Sequence, residues 1–209
     1  MELKNVIAKR ASVRQFAGDA VPENDLKEMV RLAGLAPSVN NSQPWKFIAI
    51  TNRSLLKEMA DAVHMAVEQC LPICGDEKEK HAREQVEWFS TFFGDAPAVI
   101  AVIQCPYEAI VDDALKHSGM SHNDVNALRG HPDIESIGAA IENLILAAVD
   151  MGYGACWLSG PLIARQALEE CVGIGENWRL AAMVALGKAA HDVSRLDKKS
   201  VDEIFELRA

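Results

Sequence analysis

The chain has 209 residues, of which 49% are hydrophobic, and its formal net charge is −9. This length and hydrophobic content predict a globular protein with one domain over residues 1–209, and they argue against a disordered chain. The negative charge argues against nucleic acid and anionic membranes as main partners, because both are bound through basic surfaces.

No apolar run reaches the roughly 18 residues that a membrane span requires, and the opening "MELKNVIAKRAS" has no signal-peptide core. The five cysteines are odd in number and scattered, which favours reduced thiols and a cytoplasmic location over a disulfide framework. Cys70 and Cys74 lie four residues apart with His81 beyond them, but no second close pair completes four zinc ligands, so no metal is predicted.

Hydrophobic periodicity and turn residues predict the elements in chain order. They are helix 2–10, helix 22–35, strand 46–51, helix 53–70, polar helix 77–93, strand 97–104, helix 106–116, polar loop 117–132, helix 133–151, strand 154–158, helix 161–171, strand 179–187 and a tail. Pro22 suits the first turn of its helix, and "DEKE" resembles a capping box with Asp76 as the cap and Glu79 reaching back. Because strands and helices do not alternate regularly, the order favours an α+β fold.

The segment "SIGAAIENLILAAVDM" at residues 136–151 is apolar on nearly every face, yet it is too short for a membrane span. Such a helix is expected to be buried all round, and a homodimer interface would bury it most easily. Glu142 and Asn143 interrupt the apolar surface, and if they are buried they need partners in the backbone or across an interface.

Chemistry-bearing residues concentrate near the N-terminus, in "KRASVRQF". Arg10, Ser12 and Arg14 could converge on one anion, since arginine offers a bidentate fork for phosphate. Basic residues at a helix end also complement the helix dipole, so the pattern alone leaves both interpretations open. A second basic cluster in the tail, which includes Arg195 and Lys198, is either solvated or folds back as a second clamp on the same anion.

Four motifs taken together resemble the nitroreductase family of flavoproteins. "RASVRQF" resembles the family's Arg-Arg-Ser-x-Arg-x-Phe opening, and "APSVNNSQPWKF" resembles its Ala-Pro-Ser-x-x-Asn-x-Gln-Pro-Trp loop. "AAIENLILAAVDMGYGACWLSG" resembles its central helix followed by Gly-x-Gly-x-x-Trp, while "ALGK" and "RLDKKSVDEI" resemble its last strand and basic tail. The matches occur in the family's order from residue 7 to residue 204.

The resemblance implies a mostly antiparallel central sheet flanked by helices, with the long buried helix at a homodimer interface. It implies FMN bound at that interface and ping-pong reduction of an electron-poor small molecule with NADH or NADPH as donor. No side-chain catalyst is then required, because the cofactor carries the chemistry.

The resemblance also implies roles for individual residues. Arg10 and Ser12 match positions that bind the FMN phosphate or ribityl chain, and Arg14 matches a basic position near the flavin pyrimidine. Lys198 best matches a phosphate-binding base of the tail, with Arg195 as the competing candidate.

Two further segments match positions that contact the flavin. Pro37, Ser38 and Val39 match a loop that packs on the flavin of the partner subunit, and Asn41 and Gln43 match polar positions that organise this loop. The end of the third strand faces the isoalloxazine through its backbone, and its residues here are Trp157, Leu158, Ser159 and Gly160. The Ser159 amide is the candidate donor to flavin N5.

The sequence departs from the family pattern in three places. The family's second arginine is Ala11 here, where a backbone contact to FMN would survive but one cation is lost. A further flavin contact is expected within residues 87–93, without an identifiable residue. Residues 105–132 correspond to a variable region over the substrate site, in which Tyr107, His117, Met120, His122 and Arg129 either line the pocket or lie outside it.

Three alternatives remain open from sequence alone. The chain could bind flavin as a redox sensor or FMN store without turnover, or it could use the same fold for other flavin chemistry such as dehalogenation or flavin fragmentation. An acidic interaction protein without a cofactor is the third alternative. Neither the physiological acceptor nor the preference between NADH and NADPH can be read from the residues.

Overall fold

The computed structural model describes residues 1–71, 76–115, 117 and 119–208. The helices of this part are α1 Leu3–Lys9, α2 Glu23–Ala33, α3 Arg53–Cys70, α4 Glu77–Thr91, α5 Ile110–Ala114, α6 His122–Leu128, α7 Pro132–Asp150, α8 Arg165–Val172 and α9 Val201–Ile204. The strands are β1 Trp45–Ile50, β2 Ala98–Gln104, β3 Gly154–Leu158 and β4 Arg179–Gly187. Short 3₁₀ turns lie at Val39–Asn41, Phe92–Asp95 and Gly160–Ala164.

The four strands form one antiparallel sheet in the order β1-β2-β4-β3, so β1 and β3 are its edges. Trp45 lies opposite Gln104 on the β1 side, and Leu158 lies opposite Met183 on the β3 side. The α+β fold with a mostly antiparallel sheet is therefore confirmed.

The sheet carries a hydrophobic core on each face. Ile100 and Val102 of β2 belong to the core under α2 and α7, while Val99 and Ala101 belong to the core under α3 and α8. This arrangement explains why β2 reads as a continuous apolar run and not as an alternating one, since both of its faces are covered.

Helix boundaries differ from the sequence predictions mainly within residues 105–132. The predicted helix 106–116 shortens to α5, and the predicted polar loop contains α6, which Ser121 caps by accepting a hydrogen bond from the Asp124 amide at 3.2 Å. This Ser-x-x-Asp pattern is a capping signal with an acidic residue at its fourth position, and the sequence prediction missed it. The predicted cap by Asp76 is confirmed, because its carboxylate accepts from the Lys78 and Glu79 amides at 3.0 Å.

Helix α7 is buried along most of its length but not all round. Ile141 and Leu144 are completely buried, whereas Ile134 is 45% exposed and Glu142 is also exposed. The prediction that this helix is buried on every face is thus wrong for a single chain, because the side of the helix that carries Ile134 and Glu142, here called the open stripe of α7, is not covered by another element.

A hydrogen bond of 2.5 Å from the Tyr153 hydroxyl to Asp25 joins the turn after α7 to α2, and it raises the pKa of Tyr153 to about 12.

Within the described ranges, no helix combines the length and apolar character needed to cross a membrane. Cys70, Cys105, Cys156 and Cys171 are free thiols, while Cys74 lies outside the described residues. Among the residues that are described, no three or more His, Cys, Asp and Glu side chains come together in a way that could hold a metal ion.

Candidate functional site

The basic segment, defined as residues 10–14, runs beside the edge strand β3. Ser12 forms an isolated parallel bridge with Ala155, and the Val13 amide donates to the Ala155 carbonyl at 3.0 Å. Ala11 and Val13 are buried, whereas Arg10, Ser12 and Arg14 are only partly buried. Because side chains of an extended chain alternate between two faces, the three polar residues share the face turned away from the core.

Close packing fixes the basic segment at this place. A Cβ atom at Gly154 would lie 2.6 Å from a methyl group of Val13, a distance that real Cβ contacts do not reach. Glycine at this position therefore allows the segment to approach β3 as closely as a neighbouring strand would. The resulting bridge adds the basic segment to the β3 edge of the sheet.

The polar side chains of the basic segment act electrostatically on the buried thiol of Cys156. Burial raises the pKa of Cys156, while Arg14, Ser12 and Arg10 each act to lower it. All three side chains are therefore within electrostatic range of the same sulfur atom. The chain has 30 acidic residues, yet in the part that the structure describes neither Arg10 nor Arg14 forms an ion pair with a carboxylate. Two guanidinium groups without carboxylate partners and one hydroxyl form a suitable site for an anion.

The end of α4 forms the next wall of the site. The guanidinium carbon of Arg14 lies 5.1 Å from the centre of the Phe89 ring, within the range of a cation–π contact. A Cβ atom at Gly160 would lie 2.6 Å from the Ser90 hydroxyl oxygen, so these two residues are in direct contact. Both Phe89 and Ser90 fall within residues 87–93, where the sequence predicted a contact but identified no residue. Their pattern in "EWFSTFF" does not distinguish them from core residues of an amphipathic helix.

The residues that follow β3 lie beside the end of α4. Ser159 and Gly160 are exposed, whereas the Leu158 side chain is buried in the core, so Leu158 could contact a ligand only through its backbone. Trp157 is 45% exposed, and its ring lies 3.6 Å from the position that a Cβ atom of Gly138 on α7 would take. The aromatic ring therefore extends the open stripe of α7.

The proline loop, defined as residues 36–44, is held by serine hydroxyls. Ser136 of α7 accepts from the Val39 amide, and Ser38 accepts from the Gln43 amide, both at 3.0 Å. Asn41 and Gln43, which the sequence suggested as the organising side chains, are exposed in the single chain. The organising role in one chain therefore belongs to Ser38 and Ser136.

The backbone of the proline loop is strained. Asn40 and Asn41 have φ of 52°, and Gln43 has φ of 47°. Asparagine tolerates this left-handed region better than most residues, but glutamine has no such preference. Residues held in this way occur where the surrounding structure imposes a fixed shape, frequently at ligand sites.

One chain holds the two predicted contact segments near different ends of α7. Ala11 and Val149 line one cavity near the C-terminal end of the helix, whereas the proline loop is bonded to Ser136 near its N-terminal end. The 13 residues from Ser136 to Val149 correspond to about 20 Å along a helix that rises 1.5 Å per residue. A second copy of the chain is one way to bring a proline loop to the basic segment.

The tail begins beside the basic segment and then extends into solvent. The Ala190 amide donates to the Gln15 carbonyl at 3.0 Å, but Arg195 and Lys198 are exposed. Val193, two residues before Arg195, lines the same cavity as Ala11 and Val13. The role of Arg195 or Lys198 at a phosphate group stays a prediction.

Comparisons with known proteins agree on the type of fold. The sequence model of the nitroreductase family matches residues 7–188. The "Putative NADH dehydrogenase/NAD(P)H nitroreductase" of Archaeoglobus fulgidus is 28% identical over 195 residues, covering 89% of this chain and 84% of that protein.

Two solved structures extend the comparison. A BluB-like flavoprotein from Clostridium difficile 630 superposes with a TM-score of 0.88 at 32% identity, covering 100% of both chains. An iodotyrosine deiodinase bound to FMN and 3-iodo-L-tyrosine has a TM-score of 0.71 at 20% identity, covering 95% of this chain and 96% of that one. At that lower identity the deiodinase demonstrates a common fold only.

The contact between Val13 and Gly154 predicts the effect of one substitution. Gly154→Ala should lower the free energy of unfolding by about 1–3 kcal/mol, because the added methyl group overlaps Val13 and forces the basic segment away from β3. Urea unfolding at a fixed protein concentration measures this change. Gly18→Ala is the matched control, since a Cβ atom at Gly18 meets nothing within 4 Å. Equal stability of the two variants would contradict the close approach.

Proposed function

This chain belongs to the nitroreductase family, and we propose that it is an FMN-dependent oxidoreductase that uses NADH or NADPH to reduce quinones, nitroaromatics or similar electron-poor acceptors. The match to the family covers residues 7–188, and the relative from Archaeoglobus fulgidus carries an NAD(P)H nitroreductase name. The flavoprotein at 32% identity and the FMN-bound deiodinase fold support a flavin as the cofactor.

The placement of Arg10, Ser12 and Arg14 on one face of the segment bridged to β3 is the observation that carries this proposal. These residues fit a phosphate-bearing cofactor, because they present a hydroxyl and two guanidinium groups that pair with no carboxylate in the part of the chain that the structure describes. FMN, when bound, supplies the redox chemistry, and the protein supplies binding, orientation and charge.

We assign the parts of the site as follows. Arg10 and Ser12 bind the phosphate or ribityl chain, and the backbone of Ala11 lies between them. Arg14, which is held over Phe89, places a positive charge near the flavin ring, where it stabilises the negative charge that reduction adds. The amide of Ser159, an exposed residue directly after β3, would donate a hydrogen bond to the ring.

The remaining contacts come from a second copy of the chain in this proposal. The open stripe of α7 that contains Ile134, together with the exposed Trp157 ring, forms an apolar surface suited to a homodimer. A two-fold axis across α7 brings the N-terminal end of one helix towards the C-terminal end of the other. The partner's proline loop, with Pro37, Ser38, Val39 and Asn41, would then reach the flavin held by the basic segment.

The exposed tail supports the same assembly. Leu196 is 83% exposed, and Ile204, Phe205 and Leu207 are each more than 60% exposed in the single chain. Apolar side chains in this number gain free energy when another surface covers them. A tail that crosses to the partner would also give Lys198 or Arg195 a path to a phosphate group.

The phosphate role predicts that Arg10→Ala weakens FMN affinity by about ten- to a hundredfold, since a hydrogen bond to a charged group contributes roughly 1.5–3 kcal/mol. Quenching of flavin fluorescence during titration of the apoprotein measures the affinity. Arg31→Ala serves as the control, because Arg31 is an exposed arginine that pairs with Glu28 on α2. If Arg10→Ala bound FMN as tightly as the control, the phosphate role would be wrong.

The dimer predicts a second effect on FMN. Ile134→Glu should shift the protein to monomer in sedimentation velocity and reduce FMN retention, because it places a charge on the open stripe of α7. Met65→Glu is matched to it, since Met65 on α3 is 53% exposed and lies away from the proposed interface. A monomeric Ile134→Glu protein that retained FMN with the affinity of the dimer would refute the two-chain site.

Turnover decides between a reductase and a flavin-binding protein without activity. We expect the purified protein to be yellow, to bleach with NADH or NADPH under anaerobic conditions, and to recover its colour with a quinone or a nitroarene. Bleaching without recovery by either acceptor would favour a different second substrate. Analysis of products from a halogenated phenol, and of the flavin itself, would then test for dehalogenation and flavin fragmentation. A colourless protein that takes up no added FMN would contradict the proposal as a whole.

A further inference from the structure

A polar cavity of about 380 Å³ lies where β2 ends and β4 begins. Gln104 at the end of β2 and Arg179 at the start of β4 line it, and its other wall comes from residues 105–107, from α6 and from the start of α7. None of its lining residues belongs to the set proposed to contact FMN. The cavity is therefore a candidate site in its own right.

The wall of this cavity is held by hydrogen bonds between side chains. The Tyr107 hydroxyl donates to the Asn126 side-chain carbonyl at 2.7 Å, and Asn126 is only 6% exposed. The Tyr107 and His122 rings meet edge to face at 4.9 Å, and His122 Nδ1 lies 2.7 Å from an Asp112 carboxylate oxygen. Contacts of this kind hold the lining polar groups in defined positions.

One carboxylate of the lining is buried and only half satisfied. Asp133 is 3% exposed, and its Oδ2 accepts a hydrogen bond of 2.5 Å from the Gln104 side chain. Its Oδ1 has no hydrogen-bond partner among the described residues, and none of their ion pairs includes Asp133. Burying a carboxylate oxygen without a hydrogen-bond partner costs free energy, so a ligand group that donates the missing hydrogen bond would gain binding free energy.

We propose that this cavity binds the ammonium group of a small organic amine, with Asp133 as its counter-ion. An ammonium group has three donors and no acceptor, which suits a lining that contains the buried Asp133 carboxylate and the exposed Glu176 carboxylate. Arg179 also lies at the rim, where Glu169 partly offsets its charge at 3.6 Å. A metal ion fits less well, because the described residues provide no group of three or more His, Cys, Asp and Glu side chains to hold it.

Benzylamine is the probe for this site, and benzyl alcohol is its uncharged counterpart of nearly the same shape. Isothermal titration of the purified protein at neutral pH, with whatever flavin it retains, measures the affinity of each. Asp133→Asn removes the charge and keeps the volume of the side chain. Asp61→Asn is the control, because Asp61 is an exposed carboxylate on α3 and its loss changes the net charge equally.

We expect Asp133→Asn to weaken benzylamine binding by at least about tenfold, while Asp61→Asn leaves it unchanged. Benzyl alcohol should bind more weakly than benzylamine to the unmodified protein and equally to all three proteins. The proposal is overturned if the unmodified protein shows no measurable affinity for benzylamine, or if Asp133→Asn binds it as well as the control does.

A second variant keeps the test decisive if Asp133→Asn does not fold. Asn177 is exposed and lines the cavity, so the larger side chain of Asn177→Trp should fill part of it while leaving Asp133 in place. Loss of benzylamine binding by this variant supports the site, and unchanged binding places the amine elsewhere. Neither result depends on FMN affinity, so failure of the flavin proposal would be distinguishable from failure of this one.

Discussion

The close packing of Val13 on Gly154 positions the polar side chains of the basic segment, which are most of the charged and polar groups of the proposed flavin site. With no side chain at Gly154, the basic segment lies against β3 as an added strand, and the Val13 amide bonds to Ala155. Strand alternation then turns Arg10, Ser12 and Arg14 to the same side. A cluster of cations is thereby fixed by backbone hydrogen bonds and packing rather than by neighbouring carboxylates. Its charge consequently remains available to a ligand.

This cluster of positive charge contrasts with the net charge of the chain, which is −9. On α2, for comparison, Arg31 and Lys27 pair with Glu28 and Glu23. Arg10 and Arg14 lie instead beside a buried thiol and an aromatic ring. Neither neighbour neutralises a guanidinium group, and the proposed anionic cofactor would supply the opposite charge.

The proposed site is incomplete in a single chain, in which the open stripe of α7 is not covered. Ile134 on α7 and Trp157 beside it are exposed apolar side chains, and the two segments that the family resemblance assigns to the flavin lie near the two ends of the same helix. The proline loop carries backbone strain at Gln43, which the hydrogen bonds to Ser38 and Ser136 maintain. In the proposed dimer, a loop fixed in this way meets the cofactor with little further ordering, which reduces the entropic cost of binding.

The sequence by itself determined the elements of the fold and the residue types of the site. Apolar periodicity located the four strands and the long helices, because it depends only on neighbouring residues and on burial. The short motifs established the family resemblance, and Arg10, Ser12 and Arg14 were identifiable from their spacing. The cap at Asp76 was equally visible, since capping is a local interaction.

Only the tertiary structure decided which distant residues meet. Ser90 contacts Gly160, and Phe89 contacts Arg14, across separations of about seventy residues that no local pattern encodes. The exposure of Glu142 and the unpaired oxygen of Asp133 likewise depend on which elements cover them. Periodicity shows which face of an element is apolar and which side chains are polar. Packing between elements that are far apart in the chain determines which residues each face or side chain contacts.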